Sequence, residues 1–123
     1  FKQTRLWQEA LDLAIQLSSA IRNFPESERQ PGGLYSRLLE TATRIPSRIA
    51  ESHEPFLQNA DELLNQAFYH LLEMESLLDK AAYQGYMDGD TSKPLFIHCL
   101  NLREMIISTR LNVSPQQETS GRN

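Results

Sequence analysis

The chain of 123 residues holds a single cysteine, Cys99, so no intrachain disulfide can staple it. A lone thiol inside an apolar helical pattern reads as a small buried hydrophobe, and the expected compartment is a reducing cytoplasm. Long hydrophobic runs are also missing. No stretch approaches the roughly 18 consecutive apolar residues of a membrane-spanning helix, and no secretory leader pattern is visible, so no membrane association is expected. The chain opens on Phe1 rather than a methionine, and further residues are expected upstream. Glycine is scarce, five in all, and never falls in the Gly-x-Gly-x-x-Gly or P-loop spacing that cradles phosphates. No run alternates polar and apolar residues as a half-buried strand does.

What is present is a globular balance, 40% apolar and 23% charged, on a length that suits one domain. A domain of this size buries roughly two-thirds of its unfolded surface, enough for one core without staples. The net charge of −4 argues against generic nucleic-acid binding, but the charge is uneven. Residues 1–50 sum to +2, residues 51–90 to −8 and residues 91–123 to +2. An acid block therefore sits between mildly basic flanks.

Apolar residues recur with the 3.6-residue period of amphipathic helices. The first helix is expected from Thr4 to Asn23, with Thr4 as cap and Phe24-Pro25 as stop, because the residue before a proline is pushed out of the α region. Gln30-Pro31-Gly32-Gly33 marks a loop. The second helix spans Leu34 to Ser52, with Leu34, Leu38, Ala42, Ile45 and Ile49 on one face. Pro46 lies inside it and cannot donate to the carbonyl of Ala42. A kink is expected there, at a cost of about 3 kcal/mol if uncompensated. After a break at His53-Glu54-Pro55, the third helix is expected from Leu57 to Gln84, stopped by Gly85. Thr91 or Ser92 is the expected cap of the fourth, with Pro94 in its first turn and an end near Asn112. Short connections then imply an all-α, antiparallel up-down-up-down four-helix bundle over residues 1–113. A disordered polar tail is expected over 114–123.

The fourth helix is apolar on two sides. Leu95, Cys99, Leu102, Ile106 and Val113 form one row; Phe96, Leu100, Ile107 and Leu111 form another, with Arg103 and Arg110 between them. Leu11 and Ile15 likewise widen the stripe of the first helix. A bundle core uses one stripe per helix, so the extra rows predict self-association. The acid block offers basic helices of a neighbouring copy a partner, and a head-to-tail contact of that kind closes into a ring if the rotation permits.

A set of short motifs is familiar in order: Leu6-Trp7-Gln8-Glu9-Ala10, Asn23-Phe24-Pro25-Glu26 followed by Gly33-Leu34, Ile45-Pro46-Ser47-Arg48-Ile49-Ala50-Glu51, Glu73-Met74-Glu75, and Gly85-Tyr86. With these the chain resembles, over residues 5–110, the bacterial four-helix-bundle family named after proteins encoded in intervening sequences of 23S ribosomal RNA genes. The accessory variability protein of diversity-generating retroelements is similar to that family. The resemblance implies a homopentameric ring with a kinked second helix. Most of that family has no assigned activity, and the retroelement relative looks like a nucleic-acid-binding partner of a reverse transcriptase that binds through a basic surface. Leu39 and Glu40 stand where members often carry two arginines, Arg48 where the family has asparagine and Ser52 where it has glycine.

Arg37, Arg44 and Arg48 fall within about 40° of one another on the second helix, opposite its core face. Repeated around a ring they form a basic band for phosphates; alternatively, Glu40 and Glu51 neutralise them as a solvated face. Glu75 lies within the apolar arc of the third helix and calls for a partner, with Arg103, Arg110 or a second-helix arginine in reach. His70 and Glu73 share a face, but the Glu-x-x-His order of di-metal bundles is reversed and has no second copy. His98 and Cys99 point apart and lack a second cysteine for zinc. The expected function is a non-enzymatic oligomeric scaffold or adaptor, without metal or cofactor, that binds nucleic acid or a protein. A metal-binding bundle enzyme is the competing class.

Overall fold

The structure, a computed structural model, describes the backbone of residues 4–54 and 59–122 and the side chains of residues 4–54 and 59–112. Among the described residues it contains four α-helices, α1 (Arg5–Ala20), α2 (Leu34–Glu51), α3 (Ala60–Tyr83) and α4 (Gly89–Arg122), and a 3-10 turn at Glu26–Arg29.

The Thr4 hydroxyl caps α1, accepting from the Trp7 amide at 3.2 Å. The helix stops at Ala20, three residues short of the expected Asn23, because the Phe24 amide turns back to the Ile21 carbonyl at 3.0 Å. Arg29 then closes this end. Its Nε donates to the Phe24 carbonyl at 3.2 Å and its Nη2 to the Arg22 carbonyl, acceptors that a helix terminus leaves open. Its guanidinium lies 4.2 Å from the centroid of the Tyr35 ring. The α2 cap position is Gly33, which has no side chain to offer, so the Glu28 carboxylate accepts from the Leu34 amide at 2.9 Å instead.

Helix α2 continues through Pro46, which is buried together with Leu34, Leu38, Thr41, Ala42, Ile45 and Ile49. The expected start of the third helix at Leu57 lies outside the described residues. Gly85 ends α3 at φ +81°, and the Tyr86 amide reaches the Ala81 carbonyl at 2.9 Å while the Gly85 amide reaches Ala82 at 3.1 Å. This is a Schellman stop, which a glycine enters without the Cβ penalty.

The expected cap of the fourth helix needs correction. Asp88, not Thr91 or Ser92, supplies it: its Oδ1 accepts from the Thr91 amide at 2.9 Å. Thr91 and Ser92 are therefore inside the helix, and Pro94 falls in its second turn. The bounds of α4 also pass the expected end at Asn112, and the side chains of Val113 and the tail 114–123 lie outside those described.

The contacts among the helices are those of a bundle. Each packs on two neighbours, in the cycle α1–α2–α3–α4–α1, and the diagonal backbones stay apart among the described residues. One core runs through all four, built on Leu13 and Leu17, Leu38 and Ile45, Leu71 and Leu78, and Leu95 and Leu102. Each such leucine contributes about 1.5–3 kcal/mol by leaving water. Phe24, just after α1, packs against Tyr86, just after α3, with ring centroids 5.7 Å apart and the rings tilted by 46°. Advancing along α4 from Arg103 to Arg110 moves back along α3 from Glu75 to Asp61. Leu77 is buried as well. It belongs to the core although it sits at the edge of the stripe legible in the sequence.

Candidate functional site

Three surfaces carry side chains that the core does not use. The first is on α1, where Leu11 is 36% and Ile15 61% exposed. Ile15 borders the groove between α1 and α2, beside Ala14, Tyr35 and Leu39. The second is on α4. Leu100 and Ile107 are each 46% exposed and Leu111 59%, while Phe96 packs partly against the core. Ile107 and Leu111 share a depression with Asp61 and Arg110, which puts this row on the α3 side of α4. Since the helices pack in a cycle, the α1–α2 and α3–α4 seams are opposite sides of the molecule. The two apolar faces therefore look away from each other.

Arg103 and Arg110 are held within the chain. Arg103 Nη1 donates to both oxygens of Glu75, at 2.9 and 3.2 Å, and its guanidinium lies 5.7 Å from the Phe68 ring centroid. Glu75 is half-buried, and Arg103 is the partner it takes. Arg110 donates from Nε and Nη2 to the two oxygens of Asp61, at 2.9 and 3.1 Å, and from Nη1 to Asn65 at 2.8 Å. Hydrogen bonds from Arg110 hold the Asp61 carboxyl below its ordinary value. A carboxyl lowered in the folded state contributes stability that is present above its unfolded value, near 3.8, and is lost as pH falls through its folded value. Asp61 is open to solvent, so the contribution is a few tenths of a kcal/mol. Asp61→Asn should lower stability by about that amount at neutral pH, and urea titrations of variant and parent should converge in acid. A constant gap across the pH range would show that the pair contributes nothing through charge.

The third surface is the groove between α2 and α3, about 490 Å³, lined by Arg44 and Arg48 and by Glu62, Asn65, Gln66, Tyr69 and His70. Of the arginine stripe, Arg44 and Arg48 enter it and Arg37 does not. Arg44 also pairs with Glu40 at 2.5 Å and Arg48 with Glu51 at 2.6 Å, as their spacing suggests. Tyr69, 61% exposed, is the residue that sequence reading passed over. Its signal was an aromatic ring off the apolar stripe.

Elsewhere the titratable groups are dispersed. His70 meets Glu73 at 3.5 Å. His98 bridges to α1, through Gln16 at 2.9 Å and Glu9 at 3.2 Å. Cys99 is buried against the Met74 sulfur at 3.6 Å, and burial, with Glu75 nearby, pushes its thiol up to about 12. Such a thiol is not a nucleophile at neutral pH. No three His, Cys, Asp or Glu residues among those described come together as a metal site, and no described helix is long and apolar enough to cross a membrane.

Fold and surfaces together define a small all-α bundle protein whose unabsorbed chemistry lies on its outside. The family model described as 23S rRNA-intervening sequence protein matches residues 2–108, and the chain belongs to that family. A similar solved structure is that of a protein with unknown function from the S23 ribosomal protein family of Bacteroides thetaiotaomicron. The two share 17% identity over 85% of this chain and 97% of that one, with a TM-score of 0.75, a likeness that shows the fold. No curated protein matches the chain.

Proposed function

We propose that this protein is a non-enzymatic, cytoplasmic scaffold that associates head to tail into a closed ring and presents a macromolecule-binding surface on its rim. The observation that carries this reading is the placement of two apolar faces on opposite seams. A two-fold dimer needs one self-complementary patch, whereas two different patches on opposite sides generate a ring or an open filament. Five copies is the ring size implied by the family resemblance. Within each copy the helices alternate in direction and α2 bends at Pro46, where the Ala42 carbonyl lacks its backbone donor. Phe24 against Tyr86, and Arg110 against Asp61, support that alternation.

The ligand class is a nucleic acid or a protein that processes one. The Glu40 and Glu51 partners of Arg44 and Arg48 favour a second reading, a purely protein-binding module, since they offset part of the positive charge. Mass in solution tests the ring directly. Light scattering and native mass spectrometry at micromolar concentration should return a single closed multiple of the chain mass. A clean monomer removes the ring, and a concentration-dependent ladder replaces it with a filament.

A further inference from the structure

We propose that the α2–α3 groove is a binding site for single-stranded nucleic acid, with Tyr69 as the platform for one unpaired base and Arg44 and Arg48 as the phosphate contacts. This inference rests on the reading of the protein as a macromolecule-binding scaffold and names the ligand class.

The groove is lined by two guanidinium groups, a phenol ring, two carboxamides, an imidazole and one carboxylate. Among the described residues no aliphatic side chain, which would suit an apolar peptide or helix, lines it. Phe68 meets the Tyr69 ring edge-on at 90°, with centroids 6.1 Å apart, and Arg103 lies over Phe68. An aromatic ring that is mostly open to solvent offers a stacking surface, and stacking requires a base that is not already paired.

Arg44 and Arg48 stand one helical turn apart, about 6 Å along the axis, comparable to the spacing of neighbouring phosphates on an extended strand. Glu40 and Glu51 engage a single nitrogen of each, and a guanidinium has five donors, so N–H groups remain for phosphate oxygens. Gln66 and Asn65 precede Tyr69 on α3, within one turn of it, where the edge of a stacked base would lie. Asn65 already accepts from Arg110 through its carbonyl oxygen, which leaves its amide nitrogen to donate. Glu62 sets a limit, since a carboxylate repels phosphate and accepts from an exocyclic amine. Two phosphate contacts per copy make the binding weak and modestly salt-dependent for each copy. The slope of log K against log salt should be about −1.4 per engaged copy.

Fluorescence anisotropy of labelled oligothymidylate, oligouridylate and a duplex of equal length across a salt titration tests the site. The parent is compared with Tyr69→Ala, Tyr69→Phe and the Arg44→Ala, Arg48→Ala double variant, and the mass of each is measured in parallel. Both single strands should bind better than the duplex. Tyr69→Ala should weaken binding about 5- to 160-fold, Tyr69→Phe should retain it, and the double variant should flatten the salt dependence. Unchanged binding in Tyr69→Ala, preference for the duplex, or no binding at low salt overturns the proposal. So does competition in which polyglutamate occupies the groove and an oligonucleotide does not. Binding by a protein that runs as a monomer upholds the groove and removes the ring. A ring that binds no oligonucleotide does the reverse.

Discussion

Two variants that are each monomeric should associate when mixed. Ile15→Glu places a carboxylate in the α1 face, and Ile107→Glu places one in the α4 row; both positions are exposed in the single chain. Neither change touches the core, so far-ultraviolet circular dichroism and thermal stability should stay close to the parent. In the assembly each change would bury an unpaired charge. That costs on the order of 3 kcal/mol or more, a fall of at least about a hundredfold in pairwise affinity.

Each variant alone should therefore run as a monomer at micromolar concentration. Each also keeps one intact face, and the two intact faces are complementary. An equimolar mixture should give a heterodimer that grows no further, because its remaining faces are the spoiled ones. An isologous dimer could not behave this way, since both variants would carry damage in the same patch or none. Native mass spectrometry reads the outcome directly. Two monomers that ignore each other would end the head-to-tail reading.

The second large effect concerns the loop before α2. Gly33→Ala should destabilise the fold by about 2–4 kcal/mol, a fall in Tm on the order of 10 °C for a domain of this size. The reason is contact rather than backbone conformation, since Gly33 has an ordinary φ of −75°. A Cβ built there would stand 2.2 Å from the Glu28 carbonyl oxygen and 2.6 Å from its carbon, both backbone atoms that cannot swing aside. Relieving the clash moves Glu28, and the same residue caps α2 through its carboxylate. Gly32→Ala is the control. Gly32 sits at φ +86° with open space around it, so alanine there costs only the left-handed strain of about 1–2 kcal/mol. Equilibrium urea unfolding of both variants gives the order. A Gly33→Ala protein more stable than Gly32→Ala would show that the loop yields where the structure holds it rigid.

The helices were legible because their apolar residues recur every three or four positions. Leu34, Leu38, Ala42, Ile45 and Ile49 identify α2 and its inward face, and all five are buried. Termini were less legible where candidates crowd. Asp88, Asp90, Thr91 and Ser92 can each cap a helix, and only the hydrogen bond to the Thr91 amide separates them. The partner of Glu75 was open for a related reason, since Arg103, Arg110 and the α2 arginines all lie within reach of a helix whose neighbours are unknown. The groove was not legible as a unit. Arg44 and Tyr69 are far apart in sequence, and knowing that they share a wall requires knowing that α2 packs beside α3. Exposed apolar rows on α1 and α4 could be read from periodicity. Their placement on opposite sides could not, because it depends on the cyclic order of packing.

The Arg103–Glu75 and Arg110–Asp61 pairs have a consequence for alignment. A leucine-rich stripe is nearly periodic, so sliding α4 along α3 by one turn, about 5.4 Å, would set one apolar side chain roughly where another had been. Hydrophobic contact distinguishes such neighbours poorly. The half-buried Arg103–Glu75 pair distinguishes them better, because the same slide would leave its carboxylate and guanidinium without each other, and the exposed Arg110–Asp61 pair adds a few tenths of a kcal/mol in the same direction. The four charged residues act as the teeth of a key: they mark how far along its neighbour the last helix may travel, while the oily stripe beside them only says that the two should touch.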